Sequence, residues 1–292
     1  MRHAYCILAH DYPKELSALL QSLDHWNNDI YVHLDAKSTL RPEDFSNCVT
    51  QSNLIFIPRI PVTWGGSSMI DANLNLLNAA HQKGHYRYYH LMSGLDYPLK
   101  SQSYIQEYYK KRDGLNFIGK KAMREDDPRF KMRYQQYHFL QDPYIGKKRS
   151  LLKYIDFASC YVQRAVGIRR FKGQVMKIHQ ACMSITNEVV DTIVKARKSI
   201  SRQYKWTYCG DEVYLLSTIW NDLKLRDSLA PQGNLYYVQW EQVTRRDRSP
   251  RALTMQDYAA IQSSDLLFGR KIRFPQSTDL VIALNKDWNN EK

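Results

Sequence analysis

An α/β fold with a mainly parallel sheet is predicted by three features of the sequence. Short apolar runs recur between stretches of helical spacing, each run closes on glycine or polar residues, and the alternation repeats through the first 120 residues. "AYCILAH" (4–10) reads as the first strand, followed by a helix on which Leu16, Leu19, Leu20 and Leu23 share a face. "DIYVHLD" (29–35) is a second strand and "NLIFIP" (53–58) a third. The segment after Trp64 carries Met69, Ile70, Asn73, Leu76, Leu77 and Ala80 as one helical stripe, with Gly84 as its C-cap. "YRYYHLMSGLDYPL" reads as a fourth strand running into a turn. Residues 101–112 form a helix, and "LNFIG" is a further strand after a Asp-Gly turn.

Ligands of parallel sheets gather at the carboxyl ends of the strands. Asp35 closes the second strand, with Lys37 and Ser38 just beyond it. Trp64-Gly65-Gly66 follows the third strand, and Gly94-Leu95-Asp96 closes the fourth. Together these ends would line one crevice suited to a nucleotide or a sugar. The alternative, that strand ends are polar because loops are polar, stays open for each of them.

A chain of 292 residues can bury a sizeable core, and 43% hydrophobic with 24% charged residues places it among folded soluble proteins. The five cysteines are widely spaced and form no C-x-x-C pair, which argues against a disulfide framework or a zinc site. The N-terminus has too short an apolar core for a signal peptide, and no apolar run reaches eighteen residues, so a cytoplasmic protein is expected. A formal charge of +13 favours an anionic partner: nucleic acid, an anionic membrane or a phosphorylated substrate.

Residues 147–177 concentrate that charge. Lys147, Lys148, Arg149, Lys153, Arg164, Arg169, Arg170, Lys172 and Lys177 face a single acid, Asp156. Leu151, Ile155, Ala158, Val162 and Ala165 fall on one helical face, as in a basic amphipathic helix lying on an anionic bilayer. A core-facing helix with a solvated basic rim fits the same pattern.

Two further segments could carry chemistry. In "KWTYCGDEVYLLSTIW" (205–220), Asp211 would sit near a helix N-cap and Glu212 in the first turn, where an ionised carboxylate serves either as a cap or as a general base. In "LLFGRKIRF" (266–274), Arg270 and Lys271 could converge on a diphosphate, Arg as a planar fork and Lys as a point charge; a solvated basic loop is the alternative. "TRRDRSPR" (244–251) is a weaker basic cluster. His33 and His90 lie within apolar runs, where a core imidazole is expected. No P-loop, G-x-G-x-x-G, G-x-S-x-G or H-E-x-x-H motif occurs, and no D-x-D pair follows a strand; "GLD" offers one carboxylate where a metal-dependent sugar transferase shows two.

In order, "AYCILAH", "IYVHLDAKS", "TWGGSSMIDANLNLL", "YHLMSGLDYPLKS", "NFIG", "GDEVYLLSTI" and "LFGRKI" resemble the core-2/I-branching β-1,6-N-acetylglucosaminyltransferase and peptide O-xylosyltransferase family, over residues 4–274. The resemblance implies a GT-A-type nucleotide-sugar fold: one glycosyltransferase domain over 1–292, with a nucleotide-sugar-binding half (1–118) and an acceptor and catalytic half (119–292). It implies an inverting transfer from a UDP-sugar that needs neither metal nor cofactor. Asp35 resembles the residue that contacts uracil, Glu212 the general base, and Arg270 with Lys271 the basic pair that holds the diphosphate. His10, Trp64 and Asp96, in the matching segments, complete the implied donor-binding set. The chain departs from the family at "NLYYVQW", where Tyr236 stands in place of an Arg, and at "HQACMSI", in place of a Trp-containing strand, which leaves the donor sugar open.

Animal members of the family carry an anchor and disulfides. Their absence here implies a bacterial-type enzyme that transfers N-acetylglucosamine, xylose or a hexose to a glycan acceptor, lipid-linked at the inner membrane face, in surface polysaccharide synthesis. A basic nucleic-acid-binding protein, using exposed aromatics among the 21 tyrosines, is the alternative from another class.

Overall fold

The computed structural model describes residues 1–120, 125–147, 150–242 and 248–290. Strand β1 (His3–Ala9), helix α1 (Pro13–Ser22) and strand β2 (Asn28–Leu34) form the first crossover; β3 (Asn53–Phe56), α2 (Ser68–Lys83) and β4 (Tyr88–Ser93) continue the pattern. Pro13 opens α1, where its missing N–H leaves no intrahelical bond unmade. Then come β5 (Asp96–Pro98), α3 (Gln102–Lys111), β6 (Phe117–Lys120), α4 (Pro128–Gln135), α5 (Leu151–Ala165), β7 (His179–Thr186) and α6 (Asn187–Tyr204). The C-terminal part contains α7 (Tyr214–Trp220), α8 (Leu223–Asp227), β8 (Tyr236–Val238), β9 (Trp240–Gln242), β10 (Arg248–Pro250), α9 (Tyr258–Gln262), β11 (Phe268–Arg270) and α10 (Thr278–Asn290).

Six strands build the central sheet in the order β3-β2-β1-β4-β7-β6. The first four are parallel, and β7 enters antiparallel between β4 and β6. This is the α/β architecture with a mainly parallel, helix-flanked sheet that the alternating pattern predicts. Both faces are covered, so successive residues of β1 enter different cores: Ala4 and Cys6 pack with residues of α2 and α6, while Tyr5, Ile7 and Ala9 pack with residues of α1 and α3. A third core joins Tyr97 and Leu99 to residues of α9 and α10.

Gly84 is the C-cap of α2 as expected, with extended dihedrals (φ −152°) in place of a left-handed cap. Two details differ from the sequence expectations. The fourth strand does not simply run into a turn. After Ser93 the chain leaves the main sheet, and Asp96–Pro98 becomes the edge of a small sheet ordered β5-β11-β8. Finally, Asp211 and Glu212 do not begin α7; they lie in a separate 3-10 turn, Gly210–Glu212, before it. His33 and His90 are core imidazoles as expected. His33 Nε2 accepts from the Ile60 amide at 3.0 Å, and His90 lies between Ser184 and His3, its pKa pushed well down by burial.

Candidate active site

The carboxyl edge of the parallel strands gathers most of the residues that the sequence singles out. Asp35 follows β2 directly, and its amide donates to Ala9 at the end of β1. Its Oδ1 accepts from the amides of Lys37 at 2.9 Å and Val62 at 3.1 Å, which binds the loop after β2 to the loop after β3. Among the described residues, no hydrogen bond reaches its Oδ2. Arg59, which the sequence reading overlooked, fixes this loop from beneath by donating to the carbonyls of Asp35, Ser38 and Leu40. Lys37 reaches Thr63 at 3.3 Å. His10 is exposed just past β1, beside Asp11 at 3.7 Å.

Trp64-Gly65-Gly66 forms the next wall. Gly65 has φ +71°, a left-handed conformation that side chains rarely adopt, and its carbonyl accepts from the Cys209 amide at 2.7 Å. That bond ties the Trp64 loop to the turn bearing Glu212. At Gly66 a Cβ would stand 1.9 Å from Oδ1 of Asp142, because Asp142 is folded against the start of α2. Its carboxylate accepts from both the amide and the hydroxyl of Ser67 (2.7 and 2.6 Å) and from the hydroxyl of Ser68 (2.6 Å). Trp64 is half exposed, its ring 6.3 Å from that of Tyr208.

Glu212 rests on the turn Gly210–Glu212, which packs against β7 and α2. Cys209 precedes it in a left-handed conformation (φ 50°) and reverses the chain so that the turn reaches the sheet edge. The Glu212 carboxylate receives Arg133 from α4 at 3.4 Å, and the Arg133 guanidinium lies 5.5 Å over the Tyr208 ring. A carboxylate on a short turn, paired with Arg133 and partly open to solvent, can take a proton from a bound hydroxyl.

The cationic part is built on the small sheet. β11 pairs with β5 so that Arg270 stands across from Asp96. Asp96 is fully buried and accepts from Arg270 (3.2 Å), the Ser93 amide (2.9 Å), the Cys182 thiol (3.3 Å) and the Tyr236 hydroxyl (3.3 Å). Burial raises its pKa, and Arg270 opposes the rise. Burial, then Asp96, push the Cys182 thiol up to about 12, and Tyr236 is raised well above its ordinary value, so both remain donors. Burial works against the Arg270 charge, but Cys182 and Asp96 more than compensate and its pKa is raised. Asp96 is therefore the counter-ion of Arg270, and Tyr236 joins the same network. Lys271 lies next along the chain with its pKa lowered, first by burial and then by the like charges of Arg273 and Lys147. Cations so placed form a positive potential that favours an anion.

The sequence reading missed Arg133, Asp142, Tyr208 and Cys182, none of which sits in a distinctive spacing. Of the basic segment, Lys148 and Arg149 lie outside the described residues, as do 244–247, the first half of "TRRDRSPR" (244–251). Arg170 is not a surface cation: it donates to the carbonyls of Gln203 and Lys205 and covers the Tyr137 ring. The core-facing alternative for α5 is overturned, because Leu151, Ile155, Ala158, Val162 and Ala165 all face solvent. No two of the five cysteines are bonded. No helix among the described residues is long and apolar enough to cross a membrane.

The family model of the Core-2/I-Branching enzyme matches residues 3–265. No curated protein matches the chain. Among solved structures, a mycobacterial protein is 12% identical over 89% of this chain and 70% of its own, with a TM-score of 0.39. Mouse xyloside xylosyltransferase 1 is 10% identical over 91% and 97%, at 0.38. S. aureus TarS 1-349 in complex with UDP-GlcNAc is 12% identical over 48% and 42%, at 0.26. On the family match, which runs through the segments that carry Asp35, Asp96 and Glu212, the chain belongs to the Core-2/I-Branching enzyme family and is a glycosyltransferase.

Proposed function

We propose that the protein transfers a sugar, N-acetylglucosamine in the first instance, from a UDP-sugar to a hydroxyl of a glycan acceptor with inversion and without a metal ion. The observation that carries this reading is the cation group of Arg270, Lys271, Arg273 and Lys147, in which Arg270 is fixed by Asp96 and the Lys271 ammonium is disfavoured by burial and by Arg273 and Lys147, with Glu241 opposing them only in part. A UDP diphosphate would supply the missing negative charge. The "GLD" carboxylate that would otherwise face a metal already has a guanidinium as partner.

In the proposed reaction, the Glu212 carboxylate takes the acceptor O–H proton as the oxygen forms its bond to the anomeric carbon. The bond from that carbon to the phosphate oxygen breaks, and its electron pair leaves on UDP. Arg270 and Lys271 neutralise the charge that develops there, the function of an electrostatic site prepared before reaction. Asp35 Oδ2 would accept from uracil N–H, and His10 and Trp64 would flank the donor at the same edge. A single displacement converts an α-linked donor into a β-linked product. The acceptor is a glycan of a surface polysaccharide or glycoconjugate, reached from the cytoplasmic side.

A panel of UDP-sugars assayed for UDP release, with and without EDTA and with a crude lipid-linked acceptor, tests the reading. Transfer that persists unchanged in EDTA is expected. Loss of transfer in EDTA, restored by a divalent ion, would overturn metal independence; no release from any UDP-sugar would overturn the donor class.

A further inference from the structure

Helix α5 is seated with its polar side inward. Its buried side chains are Asp156, Cys160 and Gln163. Asp156 lies 2.6 Å from His138 Nδ1 and accepts from the Leu140 amide at 3.1 Å. Gln163 exchanges two hydrogen bonds with the backbone of Tyr137, at 2.8 and 2.9 Å. These bonds fix the rotation of the helix about its axis. The opposite face is consequently turned outward: Leu151, Tyr154, Ile155, Tyr161, Val162 and, just past the helix, Val166 expose between 48% and 74% of their surface. Residues 151, 154, 155, 158, 161, 162 and 165 share one side at 3.6 residues per turn, so the patch is continuous. An apolar helix face held toward water by buried polar bonds points to something other than water as its partner.

We propose that this face docks the protein on an anionic lipid bilayer, with α5 lying in the interfacial plane. Charge argues for that occupant. Lys147, Arg164, Arg169 and Lys172 are exposed in the segment that carries the patch, and the one acid in residues 147–177, Asp156, is buried beneath it. A second copy docked face to face would set these cations against each other, whereas anionic headgroups would pair with them. Exposed tyrosines beside leucine and valine suit the boundary between headgroups and acyl chains. A fifteen-residue helix carrying Lys153, Asp156 and Arg164 lies on a membrane and does not span it.

The docked orientation brings the reaction site to the bilayer. Lys153 of α5 stands 5.9 Å over the Tyr208 ring, which Arg133 also covers, and Arg133 contacts Glu212. The docking proposal stands without any assignment of the reaction, and its test reads binding alone.

Flotation with vesicles of phosphatidylglycerol in phosphatidylcholine, and of phosphatidylcholine alone, is the experiment. Wild type is expected to float with the anionic vesicles and to be released as salt rises from about 0.1 to about 1 M. The triple variant Leu151→Ser, Ile155→Ser, Val162→Ser should bind at least about tenfold more weakly. The variant Arg164→Gln, Arg169→Gln, Lys172→Gln should lose binding to a similar degree on anionic vesicles only. These side chains are exposed, so both variants should keep the wild-type melting temperature; if either melts lower, single substitutions at Leu151 and Arg169 are floated instead. Wild type that floats no better with anionic than with neutral vesicles overturns the proposal, as do variants that bind like wild type. Light scattering that finds a dimer converted to monomer by the apolar variant also overturns it, by assigning the face to a second copy.

Discussion

Arg270 and Asp96 are cross-strand partners, paired in register between β11 and β5, with guanidinium and carboxylate 3.2 Å apart and the carboxylate sealed from solvent. Replacing Arg270 by Ala leaves that carboxylate buried with only the Ser93 amide, Cys182 and Tyr236 as donors. Broken buried pairs typically cost about 3–5 kcal/mol; the cost here should fall at or below that range, because a third of the Arg270 side chain remains in solvent. Transfer should drop roughly 10²–10³-fold, as when one preorganised donor is removed from a developing anion. Arg270→Lys should recover more stability than activity, since an ammonium keeps the charge and loses the fork. Thermal unfolding and UDP release, measured on both variants, check this. Near-normal transfer by Arg270→Ala would remove Arg270 from the donor site.

Lys271 gives a pH dependence with a definite sign. Its pKa lies below 10.5 in the folded protein because burial, Arg273 and Lys147 disfavour the ammonium. A base with a lowered folded-state pKa contributes full stability above its unfolded pKa, and that contribution is lost as pH falls through the folded value. In the folded protein the ammonium is disfavoured, a cost that a bound diphosphate would relieve. UDP affinity should decline as pH rises through the lowered pKa, a decline that begins below 10.5. Lys271→Met should bind more weakly and lose this dependence. Calorimetric titration of UDP across the alkaline range decides the matter; identical pH profiles for the two proteins would reject Lys271 as a diphosphate ligand.

Glu212 and Arg133 should separate in kinetics. Glu212→Gln keeps the shape of the side chain and removes its basicity, so kcat should fall about 10²–10⁴-fold while UDP affinity stays unchanged. Arg133 touches Glu212 and Tyr208, and in the proposed reaction it would act by positioning that carboxylate. Arg133→Met should lower kcat roughly tenfold or more with the donor KM unaltered. A change confined to KM would make Arg133 a donor ligand instead.

The parallel half of the sheet was legible because its strands are covered on both faces and read as unbroken apolar runs, as in "AYCILA" and "IYVHL". Asp35 was legible as a strand-end residue, since the carboxyl edge follows from strand direction; Asp96 was read in the same way but opens β5, and Arg270 and Lys271 were legible only as a basic pair in an expected loop. What Asp96 does was not, because its partner arrives from 174 residues away through an antiparallel pairing that no local pattern encodes. The orientation of α5 was ambiguous for a related reason. Periodicity shows that a helix has two faces, but His138 and Tyr137, which draw the polar face inward, lie in an irregular segment before it. Arg133 escaped notice among the many charges of residues 120–139 because only the tertiary fold brings it to Glu212.

Asp142 closes the start of α2 from outside the helix. The first amides of a helix have no intrahelical partner, and Ser67 makes no side-chain cap of its own. Asp142 takes that role at long range, adding a negative charge at the positive end of the helix dipole. Asp142→Ala should therefore cost about 1–2 kcal/mol, as for a lost N-cap, and lower the melting temperature by roughly 2–8 °C for a chain of this size. Asp142→Asn should lose less, because one oxygen still accepts. The consequence reaches the reaction through the backbone: Gly65 beside this cap accepts from Cys209, which sets the turn of Glu212. A loosened cap should thus lower kcat several-fold with UDP affinity intact, and Gly66→Ala, whose added carbon meets the Asp142 carboxylate, should reproduce both effects. Calorimetry and steady-state transfer on the three variants test the connection. A melting temperature that falls with kcat unchanged would confine Asp142 to stability.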